Sequence, residues 1–368
     1  MKKRLIAINL PQFHPFKEND EWWGKGFTEW TNVTKAKPRF RGHYQPHLPS
    51  DTGFYDLRLP ESREMQSNMA KQYGIYGFCY YHYWFNGKRL MERPVNEIIE
   101  SGKPDFPFML CWANENWSRN WDGGFHKVLI KQDYSENDDI EHMEYLCNNV
   151  FTDKRYIRVN NKPFFIIYKP ELFPDIEHTI NTWRKVAKAH DIELYLGFMN
   201  REDDDSKCIY LEKGFDVAID FQPHVTPYIK PKSKRLLDFS NLPYRLWRKF
   251  SKSPNPFNIK LNYKKYVNKM SQTSPKEFKQ FPGITPGWDN SPRRVGKGYF
   301  ALLNSTPQTY GKWLKHILLN FKPFSEEENF IFINAWNEWA EGNHLEPDQK
   351  WGDAYLKETL EQIKDYNM

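Results

Sequence analysis

Cysteine is scarce: only Cys79, Cys111, Cys147 and Cys208 occur in 368 residues, and none stand as a CxxC pair. Three of them lie inside apolar or helical patterns, so reduced core thiols are expected rather than a disulfide framework or a thiolate metal site. Long apolar runs are missing as well. No stretch approaches the ~18 uncharged apolar residues of a membrane span. The opening "MKKRLIAINLPQFHPF" is positively charged, but its apolar run is short of the ~7–15 residues of a signal peptide. That segment reads as a first strand, and the protein as cytoplasmic. No glycine-rich phosphate loop follows it, which counts against an open dinucleotide-binding sheet. Internal repeats and low-complexity tracts are absent too.

Flat side chains, by contrast, are abundant: aromatics make up 17% of the chain and include 14 Trp. Such rings stack on the C–H faces of sugars or on bases. The net charge is +6 but unevenly spread, because residues 224–270 hold twelve Lys or Arg against one Asp. With Tyr228, Tyr244, Trp247 and Phe250 interleaved, residues 224–282 read as an inserted loop or subdomain. At ~1 kcal/mol per nearby Lys or Arg on an anionic bilayer, residues 224–270 are a candidate peripheral contact with the inner face of the membrane. Nucleic acid is not expected as a partner, since no recognition motif accompanies the basic residues.

Eight apolar runs recur: "RLIAINL" (4–10), "YGFCYYHYW" (76–84), "FPFMLCWAN" (106–114), "KPFFIIYK" (162–169), "LYLGFMN" (194–200), "VAIDFQP" (217–223), "GITPGWDN" (283–290) and "FIFINAWNEW" (330–339). Helical spacing falls near 60–73, 91–101, 138–150, 176–190, 306–321 and 351–366. The fifth of these shows the pattern, with Tyr310, Trp313, Leu314, Ile317, Leu318 and Phe321 at three- and four-residue steps after Ser305-Thr306-Pro307. Strands alternating with helices imply a parallel sheet, and eight units imply an α/β fold of the (β/α)8 TIM-barrel type. The expected organisation is one catalytic domain over residues 1–368, with the basic insertion 224–282 between the sixth and seventh strands.

Barrels gather their reactive groups at the carboxyl ends of the strands. Those ends carry amides, carboxylates and indoles. After the first strand come Gln12, His14, Glu29 and Trp30; the second ends in His82, Tyr83 and Trp84; the third in Trp112, Asn114, Glu115, Asn116 and Trp117. The fourth ends in Tyr168, the fifth in Asn200, the seventh in Trp288 and Asp289, and the eighth in Trp336, Asn337 and Glu338. Hydroxyls need paired donors and acceptors and sugar faces need aromatic platforms, so an oligosaccharide is the expected ligand. Its expected contacts are Gln12, His14, Glu29, Trp30, His82, Trp84, Trp112, Asn114, Glu115, Tyr168, Asn200, Trp288, Asp289, Trp336 and Asn337. A metal site would show closer His and Asp spacing, so neither metal nor cofactor is expected.

Glycosidic cleavage usually requires two carboxyl groups, one protonated and one ionised. Glu338 and Glu341 in "NAWNEWAEGNHLEP" can supply them where the strand breaks into a turn, a break that Gly342 favours. An arbitrary ExxE is more often a surface ion pair or a cap. Here the strand-end position between Trp336 and Trp339 favours chemistry, with one carboxyl desolvated enough to act as acid. The run "REDDDSK" at 201–207 offers Asp203 and Asp205 as the acidic motif of a nucleotide-sugar transferase, against the simpler reading of a solvated loop.

With "LPQFHP", "GFTEW", "WANENW" and "NAWNEWAEGNHLEP" together, the chain resembles the WbsX-like proteins, relatives of glycoside hydrolase family 99, over nearly its whole length. The resemblance implies a (β/α)8 barrel and a role with bacterial surface polysaccharide such as O-antigen or capsule. Family 99 comprises retaining endo-α-mannosidases with a Glu-x-x-Glu pair at the end of the last strand, and Glu338 and Glu341 match it. By that resemblance Glu338 acts as base on the sugar's own 2-hydroxyl, giving a 1,2-anhydro sugar, and Glu341 is the acid that then becomes a base. The "GFTEW" region and the basic insertion depart from the endomannosidase pattern. The readings kept open are a glycoside hydrolase or transglycosidase, a glycosyltransferase of polysaccharide assembly, and a glycan-binding protein without turnover.

Overall fold

The computed structural model describes residues 2–118, 128–202, 204–224, 258–274, 276–294 and 298–367. Its centre is built from nine parallel strands: β1 (Arg4–Asn9), β2 (Ile75–Phe85), β3 (Phe108–Trp112), β4 (Lys162–Ile167), β5 (Tyr195–Asn200), β6 (Val217–Asp220), β7 (Gln280–Phe281), β8 (Gly283–Ile284) and β9 (Phe330–Ile333). Hydrogen bonding runs in the order β7-β6-β5-β4-β3-β2-β1-β9-β8. Since only Pro282 separates β7 from β8, the two ends of that order are successive pieces of one stave, and the sheet closes into an eight-staved barrel. Proline has no N–H to give, but its carbonyl accepts from Phe332 N at 2.9 Å, so the ladder continues across the break. Gly283 is obligatory there, because a Cβ would lie 1.7 Å from the Asp220 carbonyl oxygen.

Burial on both faces explains why the strands read as continuous apolar runs: Leu5, Ile6, Ala7, Phe164, Phe165, Ile166 and Ile167 are all fully buried. Helices α1 (Pro60–Gln72), α2 (Arg93–Ser101), α3 (Glu136–Asn149), α4 (Ile176–Ala189), α5 (Pro307–Asn320) and α6 (Ala354–Asn367) follow the predicted spans to within a few residues. Their starts have local causes. Ser135, Asp175 and Thr306 each accept a hydrogen bond from the first turn of α3, α4 and α5, and Pro307 occupies the first turn of α5.

Two runs are shorter than expected. Only Gly283–Ile284 of the seventh joins the barrel, while Trp288–Asp289 leaves it to pair antiparallel with Leu302 and Ala301. The eighth breaks after Ile333, and Asn337–Glu338 pairs instead with Asn343–His344. Most of the basic stretch, residues 225–257, lies outside the described residues. The described remainder is ordered structure. Strand Ile259–Asn262 pairs with Phe300–Leu303, and helix Tyr263–Met270 packs on α5, with Tyr266 and Trp313 rings 6.0 Å apart. This helix supplies the crossover between β6 and β7.

Candidate active site at the carboxyl end of the barrel

After β9 the chain forms a tight hairpin whose tip holds both glutamates. Residues Trp339–Glu341 make one 3-10 turn, ended by Gly342 at φ 55°, a left-handed conformation that glycine adopts without penalty. The hairpin is tied down on its inner side. Asn337 donates to Asn9 Oδ1 (3.1 Å) and the Leu10 carbonyl (3.0 Å), and accepts from Leu10 N (2.7 Å), which fixes it to the end of β1. The fully buried indoles of Trp336 and Trp339 both donate to Glu346, at 2.9 and 2.7 Å. That buried carboxylate also accepts from Tyr55 (2.8 Å) and Gln66 (2.7 Å).

The centre of the site is an arginine. Arg293, on the Ser291–Arg293 turn, donates through Nε to Glu29 Oε1 at 2.8 Å and through Nη2 to Glu338 Oε2 at 2.7 Å. Its Nη1 is 2.8 Å from Glu341 Oε1. One buried guanidinium thus serves three carboxyl groups, and full ionisation would leave two uncompensated negative charges in a desolvated place. Burial, reinforced by the neighbouring carboxylates and opposed by Arg293, pushes both Glu29 and Glu341 up to about 7. Arg293 itself is held well above the usual arginine range; burial works against its charge, but Glu29, Glu338 and Glu341 prevail.

Glu338 and Glu341 open onto a cavity of about 330 Å³ with Tyr81, Tyr83, Trp117, Tyr168, Phe221 and Trp288 on its walls. Glu115, Asn116, Asn290 and Arg294 add polar groups, and Glu115 is ion-paired to Lys169. Flat walls surrounding a carboxyl pair suit a sugar ring, whose C–H faces stack while its hydroxyls and glycosidic oxygen meet the acids.

Of the expected contacts, Glu115, Tyr168 and Trp288 line this cavity. Glu29 stands behind it, holding Arg293. The rest are turned elsewhere, and strand alternation is the main reason. On β2, Tyr81 and Tyr83 face the cavity, whereas His82 and Trp84 point out to α3, where His82 meets His142 (2.9 Å) and Trp84 donates to Asp138 (2.7 Å). Trp112 likewise packs against His142 and Trp183. Asn114 braces the next strand, donating to the Lys169 carbonyl and accepting from Lys169 N, both at 2.8 Å. Trp30 donates to the Tyr55 carbonyl, His14 bonds the Pro11 carbonyl, and Asn200 donates to Gln280. Gln12 is fully buried, Trp336 and Asn337 hold the hairpin, and Asp289 accepts from Gln45 (2.7 Å) and meets His43 (2.6 Å).

Arg293 and Tyr81 carry no mark in the sequence. No local signal sets "SPRRV" apart as part of a site, and its partners lie 264 and 45 residues away. The acidic run forms a helix start: Asp204 accepts from Ser206 N and Asp205 pairs with Lys276 at 2.6 Å, while Asp203 lies outside the described residues. Among the described residues, one group has the makings of a metal site, namely His47, His344 and Asp348.

Closed parallel staves with an acidic, aromatic-walled cavity at their carboxyl ends define a (β/α)8 barrel. The fold is similar to that of the GH99 endo-alpha-mannosidase from Bacteroides thetaiotaomicron, with a TM-score of 0.57 and 13% identity over 99% of this chain and 97% of that one. A structure described as a glycoside hydrolase-like protein matches with a TM-score of 0.60 and 14% identity, over 98% and 94% of the two chains. Residues 5–359 match the family described as Glycosyltransferase WbsX, and the chain belongs to that family. The uncharacterized protein WxcX of Xanthomonas campestris pv. campestris is 40% identical over 366 residues, 98% of this chain. The chain spans about half the length of that relative, 49%. Among the described residues, no helix is long and apolar enough to cross a membrane.

Proposed function

We propose that the protein is a glycan-active enzyme, a glycoside hydrolase or transglycosidase acting on a bacterial surface polysaccharide or its oligosaccharide precursor. The observation that carries this reading is Arg293 holding Glu338 and Glu341 side by side at the floor of an aromatic cavity. Glu341, pushed up to about 7 by burial and its acidic neighbours, is protonated in much of the population near neutrality and is the general acid on the leaving oxygen. Glu338, accepting from the guanidinium, is the base. In the retaining route of the endomannosidases it takes the proton of the sugar's 2-hydroxyl, whose oxygen displaces the leaving group to give a 1,2-anhydro ring. Glu341, now ionised, then takes a proton from the water or acceptor hydroxyl that opens the ring, and Glu338 returns its proton to the 2-oxygen. Hydrolysis and transfer differ only in the acceptor.

The description of the family as glycosyltransferases favours a second reading, transfer from a nucleotide sugar. Saturable stabilisation by nucleotide sugars with manganese, together with transfer of the sugar to a glycan acceptor and no cleavage of any glycoside, is the outcome that would establish it. In the first reading the basic stretch 224–270 brings the enzyme to lipid-linked glycan at the inner membrane face, which salt-sensitive cosedimentation with anionic vesicles tests.

The deciding experiment is hydrolysis of a panel of surface oligosaccharides and activated aryl glycosides by the wild type and by Glu341→Gln. The substitution is expected to cost roughly 10²–10⁴-fold in kcat/KM on natural leaving groups, and far less in kcat/KM where the leaving group needs no proton, because the ring opening that Glu341 also assists comes after the bond is cleaved. Equal losses on both kinds of substrate would remove Glu341 from the acid role.

A further inference from the structure

Behind the carboxylate hairpin lies a second cavity of about 110 Å³, whose walls include His43, His47, Asp289, His344 and Asp348. We propose that His47, His344 and Asp348 form a binding site for a divalent metal ion of the zinc class, seated against the back of the turn that carries Glu338 and Glu341.

One nitrogen of each histidine and one oxygen of Asp348 lie within 4.8 Å of one another. His47 Nδ1 is 3.0 Å from His344 Nε2, which is 4.0 Å from Asp348 Oδ2. Ligands ~2.0–2.2 Å from a tetrahedral ion stand ~3.3–3.5 Å apart, so these spacings bracket what an ion requires. Two imidazoles and one carboxylate form a donor set suited to zinc and similar divalent ions, with a position left over for water.

Two of the three ligand atoms are also aimed from behind. His344 Nδ1 bonds the Glu346 carbonyl at 2.9 Å, which makes Nδ1 the protonated nitrogen and turns the Nε2 lone pair to the cluster. Its ring is stacked on Trp339, with centroids 3.8 Å apart and planes at 13°. Asp348 spends Oδ1 on the backbone N–H groups of Lys350 (3.0 Å) and Trp351 (2.6 Å), and turns Oδ2 to the cluster, where it accepts from Tyr44 at 3.2 Å. The His47 ring lies over Tyr44, centroids 4.3 Å apart. Lys350, with its ammonium 4.6 Å from the Tyr44 ring centre, is the nearby cation. It is exposed, so it can swing away from an incoming ion. The alternative is a plain hydrogen bond between the two imidazoles.

An ion here would act on the hairpin mechanically. His344 lies opposite Asn337, and Asn343 opposite Glu338, in the antiparallel pair. Binding would clamp the returning strand to the His47 segment and make His47, His344 and Asp348 positioning residues for Glu338.

The test uses protein without a polyhistidine tag, stripped with chelator and titrated separately with Zn²⁺ and Co²⁺. Expected are one equivalent bound, a higher melting temperature, and Co²⁺ ligand-field absorption of a four- or five-coordinate nitrogen and oxygen site. His47→Gln and Asp348→Asn should each weaken binding by roughly 100-fold or more while keeping the wild-type circular dichroism. Should Asp348→Asn fail to fold, the partly exposed His47 carries the decision. Absence of saturable binding to the wild type, or unchanged binding in a folded His47→Gln variant, overturns the proposal and leaves the hydrogen bond. Metal content and melting are read without substrate, so the outcome is independent of the glycosidase reading.

Discussion

Replacing Arg293 by methionine keeps much of the apolar stem and removes the charge that three carboxyl groups share. The substitution deletes the interactions at 2.8 Å with Glu29, 2.7 Å with Glu338 and 2.8 Å with Glu341. At an effective dielectric of ~20, unit charges centred ~4 Å apart attract by ~4 kcal/mol before desolvation, and removing one partner of a buried pair typically costs ~3–5 kcal/mol. With three orphaned carboxyls the loss at pH 8 should reach at least ~5 kcal/mol. The sign of the pH dependence follows. Without Arg293, which opposes the effect of burial, Glu29 and Glu341 are raised further in the folded state, which binds more protons than the unfolded chain. Stability of the variant must therefore rise as pH falls, by about 1.4 kcal/mol per pH unit for each additional proton, and the deficit should shrink toward pH 5. The assay is urea unfolding of both proteins from pH 5 to 8, with melting temperature as a second readout at roughly 2 °C per kcal/mol. A deficit below about 1 kcal/mol, or one flat across that range, would refute the account of Arg293 as the charge that makes this cluster tolerable.

The wild type carries a milder form of the same dependence. Burial raises Glu29, Glu341 and Glu346 to about 7, so these groups hold extra protons in the folded state above pH ~4.5 and their contribution to stability declines as pH climbs from about 5 to about 7. Asp153 and Asp289 act oppositely. Burial would raise them, but Arg155 in one case and His43 with Gln45 in the other hold them below the ordinary range, so their contribution is lost in strong acid. Burial also holds His14, His82 and His142 below the ordinary imidazole range, so their contribution grows as pH rises toward about 6.5 and opposes that of the glutamates. A broad melting maximum between pH ~6 and ~8 is expected, and a sharp peak near pH ~5 would contradict it. Glu346→Gln keeps one acceptor oxygen against four donors, leaving two facing an amide N–H; unfolding should show a loss of about 2–4 kcal/mol. Tyr83→Phe should weaken a bound oligosaccharide by roughly threefold to thirtyfold with little change in melting. His82→Gln, on the opposite face of β2, should do the reverse, and equal effects on binding would undo the assignment of faces.

The barrel was legible because parallel strands are buried on both sides and so appear as unbroken apolar runs, as "KPFFII" and "FIFI" do. The turn after β9 was legible too, through Glu338, Glu341 and Gly342. Strand-end position alone, however, does not say which way a side chain points. His82, Trp84 and Trp112 satisfy the positional rule and fail the two-residue alternation, whereas Tyr81 satisfies the alternation without standing at the strand end. Arg293 depends on contacts far along the chain, which no local pattern encodes. The same holds for His47, 297 residues from His344.

The hairpin that carries Glu338 and Glu341 is held through Asn337 to β1, through two indoles to Glu346, and through Arg293 to Glu29. Such an over-determined frame leaves the two carboxyl groups little freedom to follow a substrate. Adaptation to different sugars would therefore have to fall on the outer wall, at Trp288, Asn290, Arg294 and Trp117, none of which belongs to that frame. In evolutionary terms the frame and the rim of this cavity are separable: relatives could exchange the rim for a new ligand without disturbing the two carboxyl groups beneath it.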